Sequence, residues 1–512
     1  MMEFSVPKVP AETAIFVVVA AYLLYSISLV VYRLYFSPLA KFPGSKLAAA
    51  TFWYEFYHNY WRNGQYIFEM EKMHNKHGPI IRVNPDELSI RDAEFYSQLY
   101  VAESTRRTNA YEGFGKGVGF HDTHFLTVDH DLHRKRRKPL EPFFSRMAVN
   151  GLQSMMAEVA LQLESRFREL GGTRKVIRFD HAFSAAAGDV IRRICLGRDE
   201  PGERFLDDPD FTPQWHDVIH SVVRSIPLFT RFPVIYKIVS LIPDKVLLWA
   251  YPRGQRFNIL RRRAEQEVHK AKAADHEKHE NSTSIFSNIL NSDMPESERA
   301  HERLGREAQV LLAAGTASVA RTLGVASFYI LARPEIRQRL EAELKDTMSG
   351  WPDKVPTWAE LEKLPFLQAI IYESLRLVYG IMNRLPRVSP DVPVQYKDYT
   401  IPIGVPVGIA SYFLHTDPEV YPSPHEFKPE RWIGNINPAM HRSLVSFSRG
   451  SRNCVGKNLA MAEMSLILAV LYRPNGPRLE LFETDESDVK MVHDMVMPLP
   501  KLGTKGVRAV VR

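Results

Sequence analysis

One short stretch of this chain is dense in residues that could do chemistry: Phe447-Ser-Arg-Gly450-Ser-Arg452-Asn-Cys454-Val-Gly456, running straight into the apolar Leu459–Leu471 helical pattern. It sets one cysteine at the mouth of a helix, behind a glycine-bearing turn, with an aromatic residue and an arginine at fixed offsets. The chemistry such a set can do is iron ligation by a thiolate. Backbone N–H groups around a tight loop, and the positive end of the following helix, both lower a thiol's pKa. Gly450 and Gly456 let the backbone approach a flat macrocycle without Cβ clashes. Phe447 can shield the sulfur, and Arg452 can neutralise a carboxylate on the ring edge. The competing reading of any lone thiol is a buried structural cysteine. That reading suits the other cysteine, Cys195, which lies on the apolar stripe of the helical pattern Val190-Ile-Arg-Arg-Ile-Cys-Leu.

The loop resembles the haem-binding loop of the cytochrome P-450 superfamily, the haem-thiolate monooxygenases, and the resemblance runs from about Tyr35 to the C-terminus. It implies a mainly α fold with small β-sheets, a triangular helical haem domain, haem b as cofactor and Cys454 as the axial iron ligand. Within the helical pattern from Pro295 to Ala332, the segment Ala314-Gly315-Thr316-Ala317-Ser318-Val319 resembles the family's oxygen groove, Ala/Gly-Gly-x-acid-Thr-Thr. A mid-helix glycine costs about 1 kcal/mol against alanine, and a flat cofactor lying on the helix is the expected reason for Gly315. Ser318 keeps the hydroxyl of the groove, but Ala317 replaces its acid. Gly315 and Ser318 are the implied catalytic positions. Glu373-Ser-Leu-Arg376 puts an acid and a base on one helical face, a pattern with no specificity alone. With Arg431 of Phe427-Lys-Pro-Glu-Arg-Trp432 it resembles the family's buried ion triad, whose implied role is to support the haem loop. His130-Asp-Leu-His-Arg134 resembles the Trp/His-x-x-x-Arg motif that clamps a propionate, and Arg387 occupies a second propionate-binding position.

These residues need a large scaffold, and 512 residues supply one. No Gly/Ser linker or internal repeat divides the chain, so one catalytic domain over 51–512 is expected behind an anchor, 1–34, and a proline-rich hinge, 35–50. Two cysteines exclude a disulfide framework and suit a reducing compartment. Thr13–Tyr32 is uncharged and long enough to span a bilayer. Arg33, Lys41 and Lys46 follow it, and the positive-inside rule puts the large domain in the cytosol. A single-pass endoplasmic reticulum protein is therefore expected. Pro38, Pro43 and Gly44 impose a stiff bend, resembling the proline hinge of membrane-bound family members. The net charge is +7, with a run at Arg134-Lys-Arg-Arg-Lys138. The membrane span argues against nucleic acid as its partner, and a surface for an acidic redox protein is the preferred reading. Asn281-Ser-Thr283 matches a glycosylation acceptor that a cytosolic domain would leave unmodified.

The leading functional expectation is a monooxygenase acting on a lipophilic small molecule. By resemblance, its electrons come from NADPH through NADPH-cytochrome P-450 reductase, with cytochrome b5 as a second donor. Two other classes compete: a haem-thiolate isomerase or dehydratase that needs no external electrons, and a non-catalytic haem sensor or carrier. The hinge and the Leu377–Arg384 region look most like fungal members from secondary metabolism, notably terpenoid pathways. Pocket-facing segments by analogy are 109–123, 224–232, 381–385 and 494–497, mainly apolar with Met382, Met495 and Met497 as adaptable walls.

Overall fold

The computed structural model describes residues 10–197, 204–211, 223–243, 246, 265–266, 268–269 and 284–512. The Asn281 acceptor falls outside these residues. The uncharged N-terminal run is a helix, Ala11–Val31, none of whose residues is buried, prolonged by a π-helical turn at Tyr32–Phe36. Together they make 26 residues, or about 39 Å at 1.5 Å per residue, enough for a hydrocarbon core of about 30 Å. A helix apolar on every side has no face to bury on a soluble domain and suits lipid. The bend that follows is tied down: Arg33 donates to the Ala50 carbonyl (2.9 Å), and Arg82 to that of Arg33 (2.6 Å). The Pro43 carbonyl accepts from the Arg82 N–H at 2.7 Å.

The centre of the fold is a 32-residue helix, His301–Ala332, that stops one residue before Pro334. It packs against the helices Phe179–Leu196, Pro365–Val378 and Lys457–Tyr472. This last helix is buried along nearly its whole length, which explains its all-round apolar sequence. Gly315 owes its place to one of these crossings. A Cβ there would lie 3.0 Å from Ile191 Cγ1 of the Phe179–Leu196 helix. The glycine therefore serves close helix packing. Two further helices, Arg146–Gly151 and Gln153–Glu169, meet at Leu152. Cys195 is core, as its position on the apolar stripe implies, with 1% of its surface exposed.

The strands are short and peripheral. A five-stranded mixed sheet runs in the order Ile80–Arg82, Leu88–Ile90, Val407–Gly408, Arg387–Val388, Asn109–Ala110. Its register sets Arg387 between Val407 and Ala110. A three-stranded sheet joins Ile177–Arg178, Arg508–Val511 and Leu479–Leu481, and the hairpins Val394–Tyr396/Tyr399–Ile401 and His493–Met495/Met497–Leu499 complete the β structure.

Candidate active site

The Phe447–Gly456 loop is held from both sides. Cys454 N–H donates to the Phe447 carbonyl at 2.8 Å, closing the turn. Gly450 has φ +73°, and a Cβ on it would meet the Val101 carbonyl oxygen at 2.3 Å, so only glycine fits against this neighbouring chain. Gly456 is different: the nearest atom to its Cβ position is Phe144 Cδ1 at 4.0 Å, so the protein itself leaves room there. Gly456 caps the Lys457–Tyr472 helix. Cys454 is open on one side, yet enclosed deeply enough that burial pushes its thiol above the usual range. The Gly456 N–H, Arg137 and Lys457 pull it down but do not win. The loop and helix end alone therefore do not make the thiolate, contrary to the simple expectation. A metal cation on sulfur is what deprotonates such a thiol outright.

Arginines gather around this loop. Arg452 reaches back to the carbonyls of Thr108, Thr127, Val128 and Asp129 at 2.6–3.2 Å. Arg387 is buried, with its guanidinium 5.1 Å over the Tyr100 ring and only the Leu385 and Pro386 carbonyls as hydrogen-bond acceptors. Burial lowers the pKa of both, Arg452 to about 9, and Arg387 adds to the fall at Arg452 by repulsion. His130 takes the Thr108 N–H on Nδ1 (3.2 Å), and its Nε2 is buried with no partner among the described residues. Arg134 is otherwise engaged, pairing with Glu103 (2.7 Å) and Glu141 (2.9 Å). The arginine that faces the loop is Arg137, one helical turn on, donating to the Asn453 carbonyl (2.5 Å) and Oδ1 (2.7 Å) beside Cys454. Its partner at the same three-residue gap is the buried His133, held to about 2 by burial and by Arg452. The histidine–arginine motif is thus displaced by three residues from the one picked out in sequence. A second His-x-x-x-Arg in the run, His133 to Arg137, was the available signal.

Along the central helix three hydroxyls each return to the carbonyl four residues back: Thr316 to Leu312 (2.6 Å), Ser318 to Ala314 (2.8 Å) and Thr322 to Ser318 (2.9 Å). Thr316 and Thr322 are buried, whereas Ala314 and Ser318 are open in the middle of the helix. Ser318 is therefore the hydroxyl available to a bound molecule, and Ala317 beside it offers no acid.

The ion triad is present. Glu373 is fully buried and accepts from Arg376 Nη2 (2.7 Å) and Nε (2.9 Å), Arg431 Nε (3.1 Å), Trp432 Nε1 (2.9 Å) and the Lys428 N–H (2.9 Å). Arg376 passes this order to the loop through His415. The His415 Nδ1–H donates to the Arg376 carbonyl (2.9 Å), and Nε2 accepts the Val445 N–H (2.9 Å), two residues before Phe447. Accepting at Nε2 needs neutral imidazole, and burial holds His415 down to about 3. Unfolded histidine titrates near 6.5, so the unfolded chain binds more protons between these values. Stability from His415 is complete above about pH 6.5 and is lost as pH falls towards 3. The unfolding free energy of wild type should fall through this window more steeply than that of His415→Gln, by the uptake of about one proton. Parallel slopes would assign the acid sensitivity elsewhere.

The cytochrome P-450 family model matches residues 48–475. The chain belongs to the cytochrome P-450 family. Curated relatives agree: it is 49% identical to the cytochrome P-450 monooxygenase oblB of Cochliobolus heterostrophus, covering 94% of this chain and 93% of that one. It is 46% identical to a fusicoccadiene C-8 hydroxylase of Phomopsis amygdali (94% and 93% covered) and 43% identical to a stellatic acid synthase of Emericella variicolor (96% and 94%). This cytochrome P-450 is a monooxygenase of fungal secondary-metabolite type, with haem as the family's cofactor. The residues present fit that group. Two cations, the buried Arg387 and the part-buried Arg452, have no carboxylate within ion-pair distance among the described residues, and haem brings two propionates. The buried, unpartnered His130 Nε2 and the open Cys454 sulfur add a donor and a ligand.

Proposed function

We propose that this cytochrome P-450 hydroxylates a lipophilic terpenoid, with Cys454 as the axial ligand and electrons from NADPH through a membrane-bound reductase. The observation that carries the reading is the pairing of an open thiol at a helix start with an open Ser318 on a small-residue helix face. Relatives named for fusicoccadiene hydroxylation and stellatic acid synthesis support the substrate class. Haem, when bound, supplies activation of dioxygen and insertion of one oxygen atom into a C–H bond. Arg387, Arg452 and His130 would hold the propionates, and Arg137 would join them in place of Arg134. Phe447 and the Gly450 turn shield the sulfur, and the apolar walls orient the substrate and exclude water.

Proton delivery is assigned to Ser318, since Ala317 cannot carry a proton. Ser318→Ala should uncouple the enzyme, so that NADPH is consumed while hydrogen peroxide replaces product. The ratio of product to NADPH oxidised in reconstituted microsomes measures this, and wild-type coupling in the variant would reduce Ser318 to a packing residue. Ala317 also favours a second reading, an isomerase or dehydratase acting on a peroxide. Conversion of a peroxide with no NADPH-dependent turnover would select it.

The N-terminal helix is assigned to the endoplasmic reticulum membrane with the catalytic domain in the cytosol. Protease added to sealed microsomes should digest the large domain, and full protection would reverse the topology. For the reductase and cytochrome b5 we assign the exposed Lys135 and Lys138 on the helix whose Arg137 touches the Cys454 loop. The basic run is narrower than it looks in sequence, because Arg136 is buried on Glu298 and Arg134 is paired.

A further inference from the structure

The open face of the central helix does not end at Ser318. Residues 310, 313, 314, 317, 318 and 321 follow the spacing of one helical face, and all are partly or wholly open. The residues between them, Leu311, Leu312, Val319, Ala320 and Thr322, are buried. Five members of the strip are valine, alanine or serine; the sixth is Arg321. Its Nη1 donates to the Pro498 carbonyl in the His493–Met495/Met497–Leu499 hairpin, and Nε and Nη2 have no hydrogen-bond partner among the described residues. No carboxylate lies within ion-pair distance of it among those residues. Asp180 is the one acid whose field reaches it, and that carboxylate already faces Arg178 at 3.6 Å. Burial draws Arg321 down to about 10, which leaves it charged at neutral pH.

A part-buried guanidinium without an anion forgoes some of its hydration, and that desolvation is repaid only by a close opposite charge. The free Nε–H and Nη2–H point the same way as the two donors of a side-on carboxylate pair. We propose that Arg321 is the polar anchor of the substrate pocket and takes a carboxylate, on a terpenoid that is otherwise apolar. The substrate or its product is then an oxygenated acid and not a bare hydrocarbon. This rests on the terpenoid monooxygenase reading above. Arg321 is three residues beyond Ser318, an axial rise of about 4.5 Å, so an anchored acid group lies beside the hydroxyl and the rest of the skeleton extends along the alanine strip. A site built around a polar partner discriminates strongly against an analogue lacking it, because its own buried group is left unpaired.

The test is a titration of the haem-loaded full chain, at neutral pH, with abietic acid, the matching alcohol abietol and the hydrocarbon abietadiene, read as the Soret difference spectrum. Wild type should bind the acid about tenfold or more tightly than the hydrocarbon. Arg321→Gln should lose that preference while keeping its affinity for abietadiene, and Arg321→Lys should hold part of it. A purely structural arginine would weaken all three ligands together. Equal affinity for acid and hydrocarbon in wild type, or an undiminished preference in Arg321→Gln, overturns the anchor. Spectral responses to the alcohol and hydrocarbon alone keep the terpenoid reading and reject the anchor. No response to any of the three rejects both. The reduced, CO-bound band of each variant checks that it is folded and loaded, and the charge-preserving lysine variant carries the test should the glutamine variant fail that check.

Discussion

Cys454→Ala should be purified without the reduced, CO-bound Soret band that gives the family its name, and with no monooxygenase turnover. The reason is local. Cys454 is the one thiol at the loop; Cys195 is buried in the core, on the Phe179–Leu196 helix. The turn that presents the sulfur is fixed by the Cys454 N–H to the Phe447 carbonyl and by Gly450 pressed on Val101, and neither contact involves the thiol. The alanine variant should therefore keep its fold and lose only the ligand. Cys195→Ala, a small change in a packed core, is the control and should retain the band. A Cys454→Ala protein that shows the band would move the axial ligand elsewhere.

Glu373→Ala is expected to have the largest effect on stability. The carboxylate is fully buried and serves two arginines, an indole N–H and a backbone N–H. Its removal leaves Arg376, itself without exposed surface, as an uncompensated buried charge. Breaking such a pair costs roughly 3–5 kcal/mol, a large share of the stability of an ordinary domain. The disturbance should travel through His415 to Val445 and the loop beyond, so that little haem-loaded protein accumulates. The measurement is the ratio of CO-binding haem to total protein, alongside the melting temperature. Glu373→Gln, which keeps one acceptor oxygen but not the charge, should fall between wild type and alanine. Normal haem content with abolished turnover would make Glu373 a catalytic group instead of a structural one.

The sequence carried the parts of this protein that depend on neighbours along the chain. The candidate anchor was legible because a lipid-spanning helix needs only length and the absence of charge, and residues 13–32 provide both. The cysteine loop was legible because its glycine, thiol and helix start lie within ten residues, whereas Ser318 was picked out only by resemblance to the oxygen groove. The ion triad was recognised only as a resemblance, since Glu373 and Arg431 are 58 residues apart and an i,i+3 pair has no specificity of its own. Three matters were settled only by packing in three dimensions. Gly315 proved to be a helix-crossing residue, because what a missing Cβ makes room for depends on the element opposite, here Ile191. The loop-facing arginine proved to be Arg137 and not Arg134, because five cations in a row share one helix and only the fold decides which of them meet acids, solvent or Asn453. The solitary charge at Arg321 was hidden for the same reason. Local sequence shows where a cation is, but the presence or lack of a counter-charge around it is set by chain segments more than a hundred residues away.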